Sequence, residues 1–131
     1  MEDKLEVEDL DPINSPSAVD VEKAVAALDL KGPAYCILTK ADGSYVQTAG
    51  TKVGLLVEYR EMADGGFHHY VIGHPSHDSA PTSVRYRHGS LQLRRNEVLL
   101  VDEARQIFVW YLATGQIAEG WMLRDITETF E

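Results

Sequence analysis

Four of the five histidines, His68, His69, His74 and His77, fall within ten residues. Imidazole is a common metal ligand and the usual general base near neutral pH, so chemistry is sought there first. His68 and His69 are neighbours in a stretch that reads as a strand. Successive strand side chains point to opposite faces, so the two cannot grip one ion. His74 and His77 flank Pro75 in a loop, and the four are expected to be ordinary surface histidines with no metal site. The only cysteine, Cys36, rules out a disulfide framework and a cysteine-based zinc site. It stands inside Tyr35-Cys36-Ile37-Leu38, where a buried, inert thiol is expected rather than a nucleophile. Glu58 and Glu61 flank Arg60 and face one another poorly on a strand, so they do not read as an acid/base pair. There is no Gly-x-Ser-x-Gly elbow and no phosphate-cradling glycine loop. The residues therefore point away from an enzyme, with no cofactor implied.

One basic cluster stands out: Arg85, Arg87, Arg94 and Arg95. A hairpin between them would bring Arg94 opposite Arg85 and Arg87. The expectation is a solvated sheet face rather than an RNA-binding patch, which would need exposed aromatics between the basic residues.

The elements that must position these residues are legible in the spacing. Ser15-Pro16-Ser17 announces a helix, with Asp20 three residues after Ser17 as in a capping box. Val21, Ala24, Val25 and Leu28 then form one apolar stripe, and Gly32-Pro33 is expected to stop the helix. Strands follow at 34–40, 45–48, 52–61 and 67–72, the third with Val53, Leu55, Val57 and Tyr59 on one face. Asp42-Gly43 and Asp64-Gly65-Gly66 are turn signals. Residues 74–81 read as a loop, and 83–87 with 90–94 as a hairpin across His88-Gly89. A second helix covers 101–114, because Ala104, Ile107, Phe108, Tyr111 and Leu112 keep helical period. Gly115 stands where a left-handed residue closes a helix. Trp110 lies on the flank of that stripe and Trp121 is expected to close the core. The segment 121–130 reads as a short strand or a packed tail. Successive hairpins predict an α+β domain: an antiparallel sheet of about five to seven strands with two amphipathic helices packed on one face.

Charge is uneven along the chain. Residues 1–29 hold nine acids and two lysines, and the remainder carries a net charge of only −2 of the total −9. Residues 1–14 are therefore expected to be an acidic flexible arm, with residues 15–131 forming one domain. A 44% apolar composition can fill a core. The net negative charge argues against direct nucleic-acid binding. No apolar run approaches the ~20 residues of a membrane span, and no secretion signal is seen, so a cytoplasmic location is expected.

Two blocks carry a resemblance. One is Gly54-Leu55-Leu56-Val57-Glu58-Tyr59-Arg60, a turn, and Phe67-His68-His69-Tyr70. The other is Asn96-Glu97-Val98-Leu99-Leu100, the helix Asp102 to Leu112, Ala113-Thr114-Gly115-Gln116 and then Trp121. Over about residues 34–122 this order resembles the bacterial immunity proteins numbered first among the polymorphic-toxin immunity families, often found beside deaminase toxins. The resemblance implies a non-enzymatic inhibitor that blocks the active site of a cognate secreted toxin domain, a nucleic-acid deaminase with a basic cleft. Candidate partner contacts are Glu58, Glu61 and Asp64 near one turn, with Glu103 and Trp110 on the second helix. A generic interaction or regulatory module is the first rival reading. A small ligand-binding or hydrolytic domain using the histidine-rich loop is the second.

Overall fold

Ser17 starts the first helix. Its Oγ accepts the Asp20 N–H at 3.1 Å, and the Asp20 carboxylate accepts the Ser17 N–H at 2.9 Å. This reciprocal cap satisfies two amides that the helix leaves free. In the computed structural model, which describes residues 2–130, α1 runs Ala18–Ala26. It stops before the expected Gly32-Pro33, because Ala27 closes it by donating to Lys23 and Ala24. Asp29 then organises the loop, its side chain accepting the Leu30 N–H and its carbonyl the Gly32 N–H.

The strands are β1 (Lys4–Val7), β2 (Ile13–Asn14), β3 (Tyr35–Thr39), β4 (Tyr45–Thr51), β5 (Gly54–Ala63), β6 (Gly66–Gly73), β7 (Pro81–Tyr86), β8 (Gly89–Arg94) and β9 (Met122–Asp125); α2 is Val101–Thr114. Seven of them form one sheet in the order β2-β1-β3-β4-β5-β6-β9, with every pairing antiparallel. β7 and β8 pair only with each other. The architecture is α+β, as expected.

Within the stretch 1–14 expected to be a flexible arm, Lys4–Val7 and Ile13–Asn14 instead form strands of the sheet. Lys4-Leu5-Glu6-Val7 alternates polar and apolar, and Leu5 and Val7 are buried against β3, opposite Leu38 and Cys36. The acidic composition masks this period of two, because the charges stand on the solvent side of a strand whose other side is apolar.

Alternation defines two faces. On the first, Leu5, Leu38, Val46 and Tyr59 stand in one row across β1, β3, β4 and β5, and Val7, Cys36, Thr48 and Val57 in the next. Val21, Val25 and Leu28 from the α1 region and Ala104, Ile107, Phe108 and Tyr111 of α2 complete that core. On the second face Leu56 and Val71 meet Leu93, with Val84, Leu91 and Val98 beside them. The β7–β8 hairpin thus covers the side of the sheet that the helices do not. Gly54 permits this close approach, since a Cβ there would sit 2.9 Å from Val98 and 3.1 Å from Val84. Val53 leaves the core face assigned to it. Thr51 pairs with Gly54, so Lys52 and Val53 form the turn, and Val53 is exposed.

Two results are expected from this packing. Leu5→Ala lowers unfolding stability by about 2–5 kcal/mol in urea titration, the cost of a core cavity; a loss near zero would mean that β1 does not hold the core. The second concerns Glu8, whose carboxylate pairs with His88 at 2.6 Å and accepts the Ala34 N–H at 2.8 Å. The His88 hydrogen bond first, then the Ala34 amide, hold it below the usual carboxylate range. A carboxylate held low contributes stability above its ordinary pKa, and the contribution fades as pH falls through the depressed value. Glu8→Gln should therefore flatten the acid side of a plot of urea midpoint against pH.

Candidate functional site

The stripe that buries α2 also aims its remaining side chains. With Ala104, Ile107, Phe108 and Tyr111 turned inward, Trp110 is left on the outer flank at 51% exposure. Gly115, at φ 71°, closes the helix in the left-handed region, and its N–H donates to Tyr111 O. The chain then returns alongside α2 and brings up Ala118 and Trp121. Between α1, α2 and this returning segment lies an open groove of about 650 Å³, lined by Ile107, Trp110, Ala113, Ala118 and Trp121. Its rim is charged: Arg105 bridges Glu22 at 3.1 Å and Asp102 at 3.3 Å.

Of the five expected contact residues, only Trp110 lines this groove. Glu103 is committed internally. One carboxylate oxygen accepts the Leu100 N–H at 2.9 Å, which caps α2, and the other meets His74 Nε2 at 2.5 Å. The His74 ring in turn lies 5.6 Å from the Trp121 ring. Glu103 therefore positions the groove wall.

Glu58, Glu61 and Asp64 do not form one patch. Glu58 and Glu61 are an odd number of residues apart on β5, so they stand on opposite faces. Glu61 is exposed on the helix side, where it accepts from the Tyr59 hydroxyl at 3.3 Å. Asp64 is exposed in the two-residue turn between Ala63 and Gly66. Glu58 is largely covered, with its oxygens on His69 at 2.7 Å and Gln47 at 3.1 Å.

His69 corrects the expectation of four surface histidines, since it is fully buried. Arg60 Nε donates to its Nδ1 at 3.0 Å. A guanidinium N–H can only donate, so Nδ1 is the bare nitrogen and Nε2 carries the proton toward Glu58. Both ring nitrogens are engaged. Phe130 covers the ring at 4.6 Å, and the Arg60 guanidinium stacks 3.8 Å from Phe67 and 4.7 Å from Phe130. The Arg60–His69 pair was available in the sequence: counting back from a two-residue turn at Asp64-Gly65 aligns 60 with 69.

The arginine cluster does not assemble as expected. The hairpin register places Arg94 opposite Pro81, at the far end from Arg85 and Arg87. Arg87 instead ties the hairpin to Asp9 at 3.2 Å and to the Gly32 carbonyl at 3.3 Å. Among the described residues no three His, Cys, Asp or Glu side chains converge as a metal site would need, and no helix is long and apolar enough to cross a membrane. No protein-family model, curated protein or solved structure matches this chain.

Cys36 lies buried in β3, and burial pushes its thiol up to about 12. Alkylation of the native protein at mildly alkaline pH is expected to be more than about a hundredfold slower than that of the denatured chain. Equal rates would restore Cys36 as a candidate nucleophile.

Proposed function

We propose that this protein is a binding module of the immunity type, which neutralises a secreted toxin domain by covering it, in the cytoplasm of the cell that makes the toxin. The observation that carries the reading is Trp110, half exposed beside an apolar groove of about 650 Å³. Tryptophan is a favoured interface anchor, because it buries a large area at little cost in side-chain entropy. The groove is shallow and open, which suits a protein segment better than an enclosed small molecule. The total charge of −9 complements a partner with a basic cleft, such as a nucleic-acid deaminase, and would accelerate capture. The hydrolytic rival would draw on His74 and His77; His74 is held by Glu103 at 2.5 Å, and no three His, Cys, Asp or Glu side chains converge there among the described residues.

Protection of a host against a co-expressed toxin is the direct test, with candidate toxins taken from the adjacent reading frame. Trp110→Ala is expected to weaken binding by about 2 kcal/mol, roughly thirtyfold in Kd, with little change in thermal stability because the ring is already half in water. Binding should also weaken steeply as salt is raised. Failure to protect against every neighbouring toxin would reject the proposed role. Unchanged affinity of the Trp110 variant for a toxin that is neutralised would move the interface elsewhere.

A further inference from the structure

The seven-stranded sheet ends in two edges that are built differently. At one, β2 is two residues long. Pro12 before it has no N–H, and Ser15 after it turns the chain at φ 50°. At the other, β9 is paired on one side alone, with β6. The Ile126 N–H donates to His69 O at 2.8 Å, and the same register sets Arg124 opposite Val71 and Leu123 opposite Ile72. Bonded and non-bonded pairs alternate along an antiparallel ladder, so Arg124 turns its N–H and C=O toward β6. Leu123 and Asp125 turn theirs outward. None of these four outward groups has a hydrogen-bond partner among the described residues. The side chains break off at the same place. The buried row of Val7, Cys36, Thr48 and Val57 runs on through Ile72 to Leu123, where it stops with Leu123 40% exposed.

Edges that stay unpaired are commonly guarded by a lysine or another charge, a proline or a bulge. The β7–β8 hairpin has such guards in Pro81, Arg85 and Arg94. β9 carries one cation, and Glu97 draws it away: Arg124 is bonded there at 2.7 and 2.9 Å, on the face opposite the helices. Asp125 remains beside Leu123. Thr127 donates to it from its amide and its hydroxyl, both to one carboxylate oxygen, and the other oxygen has no partner among the described residues. Glu119 and Glu128 flank the strand, exposed and without a cationic partner among the described residues. Free main-chain donors and acceptors, an apolar row cut short and surplus negative charge define one complement. We propose that the β9 edge takes up an extended strand of a partner protein, antiparallel to β9 like every other pairing in the sheet. An apolar residue of that strand lies against Leu123, and a lysine or arginine two positions earlier lies against Asp125. Main-chain bonds supply the affinity of such strand addition, and alternate side chains supply its selectivity. A second copy of this chain fits worse, because it would set one acidic edge against another. The inference does not require that the partner be a toxin, and it concerns a surface other than the Trp110 groove.

Hydrogen exchange at the Leu123 and Asp125 amides, followed by NMR on the full chain, reads the edge directly. The probe is the peptide acetyl-Lys-Thr-Val-Thr-Tyr-amide at millimolar concentration. Both amides are expected to exchange quickly in the protein alone and about tenfold more slowly with the peptide near saturation. The Arg124 amide, already bonded to β6, should change little. A peptide with N-methylvaline lacks the donor opposite Leu123 and should lose the effect. N-methylation of the threonine before the valine, whose amide points away from β9, should preserve it. Glutamate in place of the peptide's lysine, or Asp125→Asn in the protein, should weaken binding about fivefold, the loss of one cross-strand charge pair. The asparagine oxygen still accepts from Thr127, so the turn is kept. Amides that do not slow with the peptide, or an N-methylvaline peptide that acts as well as the parent, would overturn the proposal. Amides already slow in the protein alone, and slower as its concentration rises, would give the edge to a second copy and overturn it as well.

Discussion

The row of side chains from Leu5 through Leu38 and Val46 to Tyr59 is the surface on which both helices rest. Antiparallel pairing holds these four on one side of the sheet, and burial of that side drives the helices down onto it. Every outward feature of α2 follows. Once Ile107, Phe108 and Tyr111 are pinned inward, the next residue back from Tyr111 must point about 100° away, and that residue is Trp110. The groove is thus a consequence of one packed stripe. Trp110 opens on it, whereas the Tyr111 hydroxyl stays shielded on the inward side.

Polar groups inside the structure hold the parts in register. Glu97, almost fully buried, forms a two-point pair with Arg124 at 2.7 and 2.9 Å and caps the Arg94 amide at 2.8 Å. The pair joins β9 to the turn that precedes α2. Burying a charge is costly unless its partner is oriented, and here the guanidinium fork matches the carboxylate. Glu58, His69 and Arg60 do the same further along that face of the sheet, under the carboxyl-terminal turn that carries Phe130. These networks leave Glu58, His69, Arg60, Glu97 and Arg124 paired within the fold.

The strands β1 and β9 are tied to the rest of the domain by more than their sheet pairing. Glu8 and Asp9 accept His88 and Arg87 from the β7–β8 hairpin, so the amino-terminal strand anchors the layer on the second face. β9 extends the sheet at its opposite edge. A stretch that composition alone would class as solvated charge therefore has a structural duty, because period-two alternation outweighs net charge when one side of a strand is covered.

Local spacing was enough for α2, for the Ser17 cap, for the turns at Asp42-Gly43 and Asp64-Gly65 and for the α+β class. Each rests on contacts between residues close in the chain, where periodicity and turn chemistry act directly. The exposed flank of Trp110 could be read in the same way. The sequence did not reveal that β7 and β8 leave the sheet to cover its second face, that residues 4–7 join it, or that Glu58 and Glu103 are consumed by His69 and His74. Those outcomes depend on residues at least 11 positions apart, and only the closing of the sheet and the docking of the helices brings such side chains within reach of one another.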